Sequence, residues 1–92
     1  MSNGKELKIE FPPHLKGGVY ANNLIISHTK EEFILDFIVL TPPGGTVTSR
    51  VITSPGHMKR IIKALQENIA RYESHFGSLP EAEVPQGNIG FQ

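Results

Sequence analysis

The sequence predicts an α+β domain: a three-stranded antiparallel β-meander followed by one long C-terminal α-helix packed on one sheet face. Three observations carry that expectation. Residues 32–40, Glu-Phe-Ile-Leu-Asp-Phe-Ile-Val-Leu, place seven large apolar side chains in nine positions, the mark of a strand buried on both sides. Pro42-Pro43-Gly44-Gly45 follows as a turn, because Pro fixes φ and Gly permits positive φ. Beyond Ser54 the apolar period changes to 3.6, with Met58, Ile61, Ile62, Leu65, Ile69, Tyr72 and Phe76 on one stripe.

Taken in order, residues 1–18 read as an N-terminal arm. Leu7, Ile9 and Phe11 alternate as a short edge strand would, and Pro12-Pro13 would end such a strand without breaking a ladder. The domain proper is assigned to residues 19–77. Its first strand runs from Val19 to His28, weakened in the middle by Asn22 and Asn23. Those two asparagines fit a polar ladder, a bulge or an irregular ligand contact, with a bulge or edge polarity the favoured reading. Thr29-Lys30-Glu31 forms a hairpin connection to the strand at 32–40, and a third strand, rich in β-branched residues, covers Thr46 to Thr53. Two tight connections make the three strands antiparallel neighbours with 32–40 in the centre.

The helix opens at Ser54-Pro55, since Ser is a favoured N-cap and Pro is favoured at the first helical position. Gly77 is its natural C-terminal stop. A helix of that extent is about 33 Å long, enough to lie along a sheet of nine-residue strands. Residues 78–92, with Pro80, Pro85, Gly87 and Gly90, read as a flexible tail in which Asn88-Ile-Gly-Phe91 is a candidate linear binding element.

With a turn at 41–45, Leu40 faces Thr46 and residues of one parity share a face. The odd face then gathers Val19, Ala21, Ile25, Phe33, Leu35, Phe37, Val39, Val47 and Val51, and is expected to receive the helix stripe. The even face gathers Tyr20, Leu24, Ile26, Ile34, Ile38, Leu40 and Ile52, with Asn22, Asp36 and Arg50 among them. So large an apolar patch exceeds what a soluble monomer usually leaves in water, and it reads as a surface for self-association. In this register Asp36 lies opposite Arg50, which would neutralise a carboxylate trapped in an apolar sheet. The alternative is an Asp36 at the sheet edge, facing water.

Composition points the same way. A core of roughly 60 residues buries only about 60% of the surface its unfolded chain exposes, so an isolated monomer is marginal. The chain has no cysteine, which removes disulfides and thiolate metal sites, and oligomerisation remains as the usual remedy. Nine Lys and Arg balance nine Asp and Glu, without the basic excess typical of nucleic-acid binders. No stretch approaches a membrane span, and the start Met-Ser-Asn-Gly-Lys-Glu lacks the apolar core of a signal peptide; a cytoplasmic, soluble protein is the expectation.

Catalytic signals are weak. His14, His28, His57 and His75 form no i, i+4 pair and read as surface histidines, and no metal or cofactor is expected. Asp36, the only aspartate, has no partner placed beside it by spacing for acid–base chemistry. There is no nucleophile elbow, phosphate loop or dinucleotide fingerprint. Lys59, Arg60 and Lys63, with Arg50 on the preceding strand, form one basic cluster able to meet phosphates; a solvated helix face is the plainer reading. Asn68 is read as interrupting any heptad after Leu65, so the helix suits a sheet cover better than a coiled-coil arm.

Several segments occur together in a recognisable order: Tyr20-Ala-Asn22, Ser27-His28-Thr29, Glu32-Phe33, Leu35-Asp36-Phe37, Ser49-Arg50-Val51 and Ser54-Pro55. They continue through His57-Met-Lys-Arg60, Ala64-Leu65-Gln66-Glu67-Asn68-Ile69 and Tyr72-Glu73. In these the chain resembles the small prokaryotic proteins grouped as the domain-of-unknown-function family 3467, over about residues 19–77. The resemblance implies a bacterial or archaeal origin but no activity. It also implies that Tyr20, Asn22, Ser27, His28, Asp36, Arg50, Ser54, Pro55, His57, Gln66 and Asn68 are matching positions.

Three readings of function follow. The first is a non-enzymatic homo-oligomeric adaptor or assembly module, joined through Tyr20, Leu24, Ile26, Ile34, Asp36, Ile38, Leu40, Arg50 and Ile52, with an unidentified protein partner. The second is a small nucleic-acid-binding regulator using Arg50, Lys59, Arg60 and Lys63; salt-dependent binding abolished by Lys59→Glu with Lys63→Glu is its mark. The third is a ligand-binding or enzymatic subunit with Asn22, His28, Asp36 and Arg50 at a subunit interface.

Overall fold

β-branched and aromatic residues pack well on a pleated surface, and the segments rich in them pair here as three strands. A computed structural model of the chain describes residues 6–83. Strands β1 (Asn23–His28), β2 (Phe33–Thr41) and β3 (Gly44–Thr53) form one antiparallel sheet in the order β1-β2-β3, and helix α1 (Pro55–Phe76) follows. The α+β class, the meander and the central place of the 32–40 segment are as the sequence predicts.

The first hairpin closes one residue later than expected. The Thr29 hydroxyl accepts hydrogen bonds from the Glu31 and Glu32 amides, both at 3.2 Å, and the Thr29 amide donates to the Glu32 carbonyl at 2.9 Å. The connection therefore spans residues 29–32, and His28 pairs with Phe33. A shift of one residue turns every side chain of a strand to the other face. Leu24 and Ile26 accordingly pair with Phe37 and Leu35, while Ile25 pairs with Asp36. The expected grouping of Leu24 and Ile26 with Ile34 and Ile38, and of Ile25 with Leu35, is corrected.

The second hairpin departs from expectation twice, and the departures cancel. Its connection is only Pro42-Pro43, joined by a cis peptide bond, so Thr41 pairs with Gly44 and Leu40 with Gly45 rather than with Thr46. Gly45 leaves the room that Leu40 occupies: a Cβ there would come 2.5 Å from Leu40 Cδ2 and 3.0 Å from the Val39 carbonyl oxygen. The ladder then steps from Ile38↔Val47 to Phe37↔Ser49, leaving Thr48 as the extra residue of a bulge. The Thr48 hydroxyl donates to the Phe37 carbonyl at 3.2 Å. Beyond the bulge the expected register returns, with Asp36 opposite Arg50 and Ile34 opposite Ile52. Val47, expected on the odd face, lies instead with Ile38 on the Asp36 face.

From residue 6 to β1 the chain is irregular apart from a 3₁₀ turn at Pro13–Leu15. No strand forms at Leu7, Ile9 and Phe11, which are all exposed, and the first strand begins at Asn23 rather than Val19. Alternation alone gives no edge strand where prolines and glycines follow at once. The first five residues and residues 84–92, with the Asn88–Phe91 element, lie outside the described part.

The chain forms two compact units, one up to Pro55 and one from Gly56. Helix α1 begins at Pro55, where the first unit ends, and stops before Gly77, whose φ of +90° and amide hydrogen bond to the Glu73 carbonyl (2.9 Å) end the helix as expected. Met58 is the buried residue of the helix. From Ile62 onward the stripe is open: Leu65 is 59% exposed, Ile69 51% and Phe76 75%.

Candidate interaction surface

The β2 strand decides the character of both sheet faces, because both of its parities are apolar. On one face Ile34, Ile38 and Leu40 stand beside Asp36; β1 adds Ile25 and β3 adds Val47 and Ile52. Ile38 is buried, whereas Val47 and Ile52 on the flanking strand are 40% and 54% exposed. On the other face Phe33, Leu35, Phe37 and Val39 are joined by Leu24, Ile26 and Val51. There Leu35 is buried and Leu24, Ile26 and Val51 are exposed. Each face thus has a closed centre and an open apolar margin.

Asp36 sits at the centre of the first face with 1% of its surface exposed. Arg50 Nε donates to Asp36 Oδ1 at 2.6 Å and Arg50 Nη2 to Oδ2 at 3.0 Å, a bidentate clamp in which both carboxylate oxygens are satisfied. The Arg50 side chain remains 57% exposed. The hydrogen bonds from Arg50 hold the Asp36 carboxyl below the usual carboxylate range, against burial, which pushes it up, and with help from the guanidinium charge. The same pairing raises Arg50. The expected Asp36–Arg50 pair is present, formed across directly opposed ladder positions.

The sequence matches a family over most of its length: residues 1–81 fit the family described as Protein of unknown function (DUF3467). The chain belongs to the DUF3467 family. No curated protein and no solved structure matches it. In this DUF3467 chain the polar positions behind the resemblance divide between the faces. Ser27, Asp36 and Arg50 share one face, and His28 and Ser49 share the other.

The remaining sequence-predicted residues are dispersed. Tyr20 precedes β1 and is 74% exposed. Arg50 is committed to Asp36, whereas Lys59, Arg60 and Lys63 are exposed on α1. His28 stacks on Phe33 with ring centroids 5.2 Å apart. Among the described residues no group of three His, Cys, Asp or Glu side chains is arranged to hold a metal ion, and no helix is long and apolar enough to cross a membrane.

Asn22 has a role that strand periodicity does not reveal. Its side-chain amide donates from Nδ2 to the Leu40 carbonyl at 3.0 Å and accepts the Leu40 amide at Oδ1 at 2.7 Å. Its own backbone amide donates to the Ile38 carbonyl at 3.0 Å. The carboxamide thus stands in for one more strand residue and continues the ladder ahead of Asn23, where the sequence favours a bulge or edge polarity. The Asn22-Asn23 interruption of an apolar strand pattern is its signal in the sequence. Asn22→Asp would keep an acceptor for the Leu40 amide but set an oxygen against the Leu40 carbonyl. It is expected to destabilise by about 1–2 kcal/mol in urea melts, and by more than Asn22→Ser. Equal stability of both variants with the wild type would contradict the clamp.

Proposed function

We propose that this DUF3467 protein is a non-enzymatic homo-oligomeric adaptor or assembly module, joined through the sheet face that carries Asp36. The observation that carries the reading is the open apolar margin of that face, Val47 and Ile52, around a neutralised ion pair. Exposed apolar side chains grouped on one sheet face support a contact site there. A pair of charges at its centre adds orientation: a planar guanidinium that grips a carboxylate in one geometry also presents a fixed donor edge to whatever covers it. Val47 reaches the face only because of the bulge at Thr48, which extends the apolar margin toward the Pro42-Pro43 end.

Single charges on exposed positions test the proposal without disturbing the fold. Ile52→Glu is expected to lower the solution mass of the full chain by removing the contact made through this face. Val51→Glu, on the opposite face and 44% exposed, is expected to leave it unchanged. Dissociation by Val51→Glu alone would move the joint to the other face and overturn this assignment.

A further inference from the structure

The apolar stripe of α1 has a symmetry of its own. Ile62, Leu65, Ile69, Tyr72 and Phe76 follow one another at spacings of 3, 4, 3 and 4, the alternation of a coiled-coil seam. All five are exposed, and Tyr72 and Phe76 already pack ring against ring at 5.0 Å. Asn68 lies one position before Ile69, at the flank of the seam and not on it. Its Nδ2 donates to the Ala64 carbonyl at 2.9 Å.

The seam reads the same in both directions about residue 67. Turned end for end, Ile62 of one helix meets Tyr72 of a second copy, and Leu65 meets Ile69. The flanking positions decide between the two possible directions. In an antiparallel pair the flank that holds Lys59 meets the flank that holds Glu73 of the second copy, twice by symmetry, and the two Asn68 carboxamides face each other near the dyad. In a parallel pair in register, Ile61 would meet Gln66 and Asn68 would meet Glu73, with no opposite charges opposed. Antiparallel packing also opposes the helix dipoles favourably.

We infer that α1 is a second joint of the assembly, an antiparallel helix pair formed with another copy of this chain through Ile62, Leu65, Ile69 and Tyr72. The inference rests on the self-association reading above and adds a distinct contact to it. A chain with two separate self-complementary surfaces builds beyond a dimer, because each C₂ contact leaves the other surface free.

The absence of native cysteine makes the geometry directly readable. In the full chain, Asn68→Cys should be linked to a second copy by a short thiol–thiol cross-linker. Ile62→Cys should not, because its counterpart lies about 15 Å away along an antiparallel pair. Lys59→Glu should weaken association roughly tenfold, and adding Glu73→Lys should restore it. Cross-linking at Ile62→Cys but not at Asn68→Cys, or an association unmoved by both charge variants, would overturn the helix pair. If the oligomer then still dissociates with Ile52→Glu, the sheet joint stands without it. A monomeric wild-type chain would overturn both.

Discussion

Arg50→Met is expected to lower the melting temperature at neutral pH by on the order of 10 °C, and to reverse the response of stability to acid. The carboxylate of Asp36 is almost wholly buried and has its oxygens bonded to Arg50. Removing the guanidinium leaves a charge in an apolar sheet with nothing to offset it. In the wild type Asp36 titrates below its ordinary range, chiefly through the Arg50 hydrogen bonds. Its contribution to stability is therefore complete above the unfolded value of about 3.9 and is lost as pH falls through the depressed value. Without Arg50 the burial effect is left alone and raises the carboxyl instead. The neutral acid is then the favoured folded form, so the variant is relatively most stable in acid and loses stability as pH rises through the raised value. The gap between the two melting temperatures should shrink steadily on acidification. Asp36→Ala should be milder than Arg50→Met, because the guanidinium is 57% exposed and water can take the place of its partner. It should still exceed Arg50→Lys, which keeps a cation beside the carboxylate. Flat thermal melts across all three variants would contradict a buried pair.

Ile38→Ala is expected to be as severe through a different cause. The described part of the chain has few buried apolar side chains: Leu35, Ile38 and Met58. Truncating a buried Ile to Ala destabilises by about 2–5 kcal/mol, the lost transfer energy plus the cavity left behind. A chain of this size is stable by only about 5–14 kcal/mol. Ile38→Ala should therefore lower the midpoint of thermal unfolding by more than 10 °C or remove a cooperative transition at ordinary temperatures. Val51→Ala, on an exposed position of the other face, should change stability by less than about 1 kcal/mol. Comparable effects of the two substitutions would mean that Ile38 does not anchor the sheet.

Much of this fold is legible in the residues, and the errors have physical causes. The two-sided apolar run of β2, the Pro-Pro turn, and the Ser54-Pro55 start and Gly77 stop of α1 each follow from local rules. Register is less legible, because it depends on loop lengths counted to a single residue. Thr29 ties its hairpin closed through Glu32, one position past the expected end, and this alone exchanges the faces of Leu24, Ile25 and Ile26. In the second hairpin the tight Pro42-Pro43 connection and the bulge at Thr48 offset each other, so Asp36 meets Arg50 although the turn differs from the one expected. The N-terminal boundary differs from the expected one because the Asn22 side chain takes over the pairing with Leu40, which no hydrophobic period records. The helix stripe was legible as a stripe; its 3-4 alternation past Leu65 becomes evident once Asn68 is placed on the flank.

On the proposed reading the open apolar surfaces are joints between copies of the chain. The most direct test is the solution mass of the full chain, measured by light scattering over a wide concentration range. A dimer or larger species that persists on dilution and is reduced by Ile52→Glu is expected. A well-folded monomer at every concentration would contradict it.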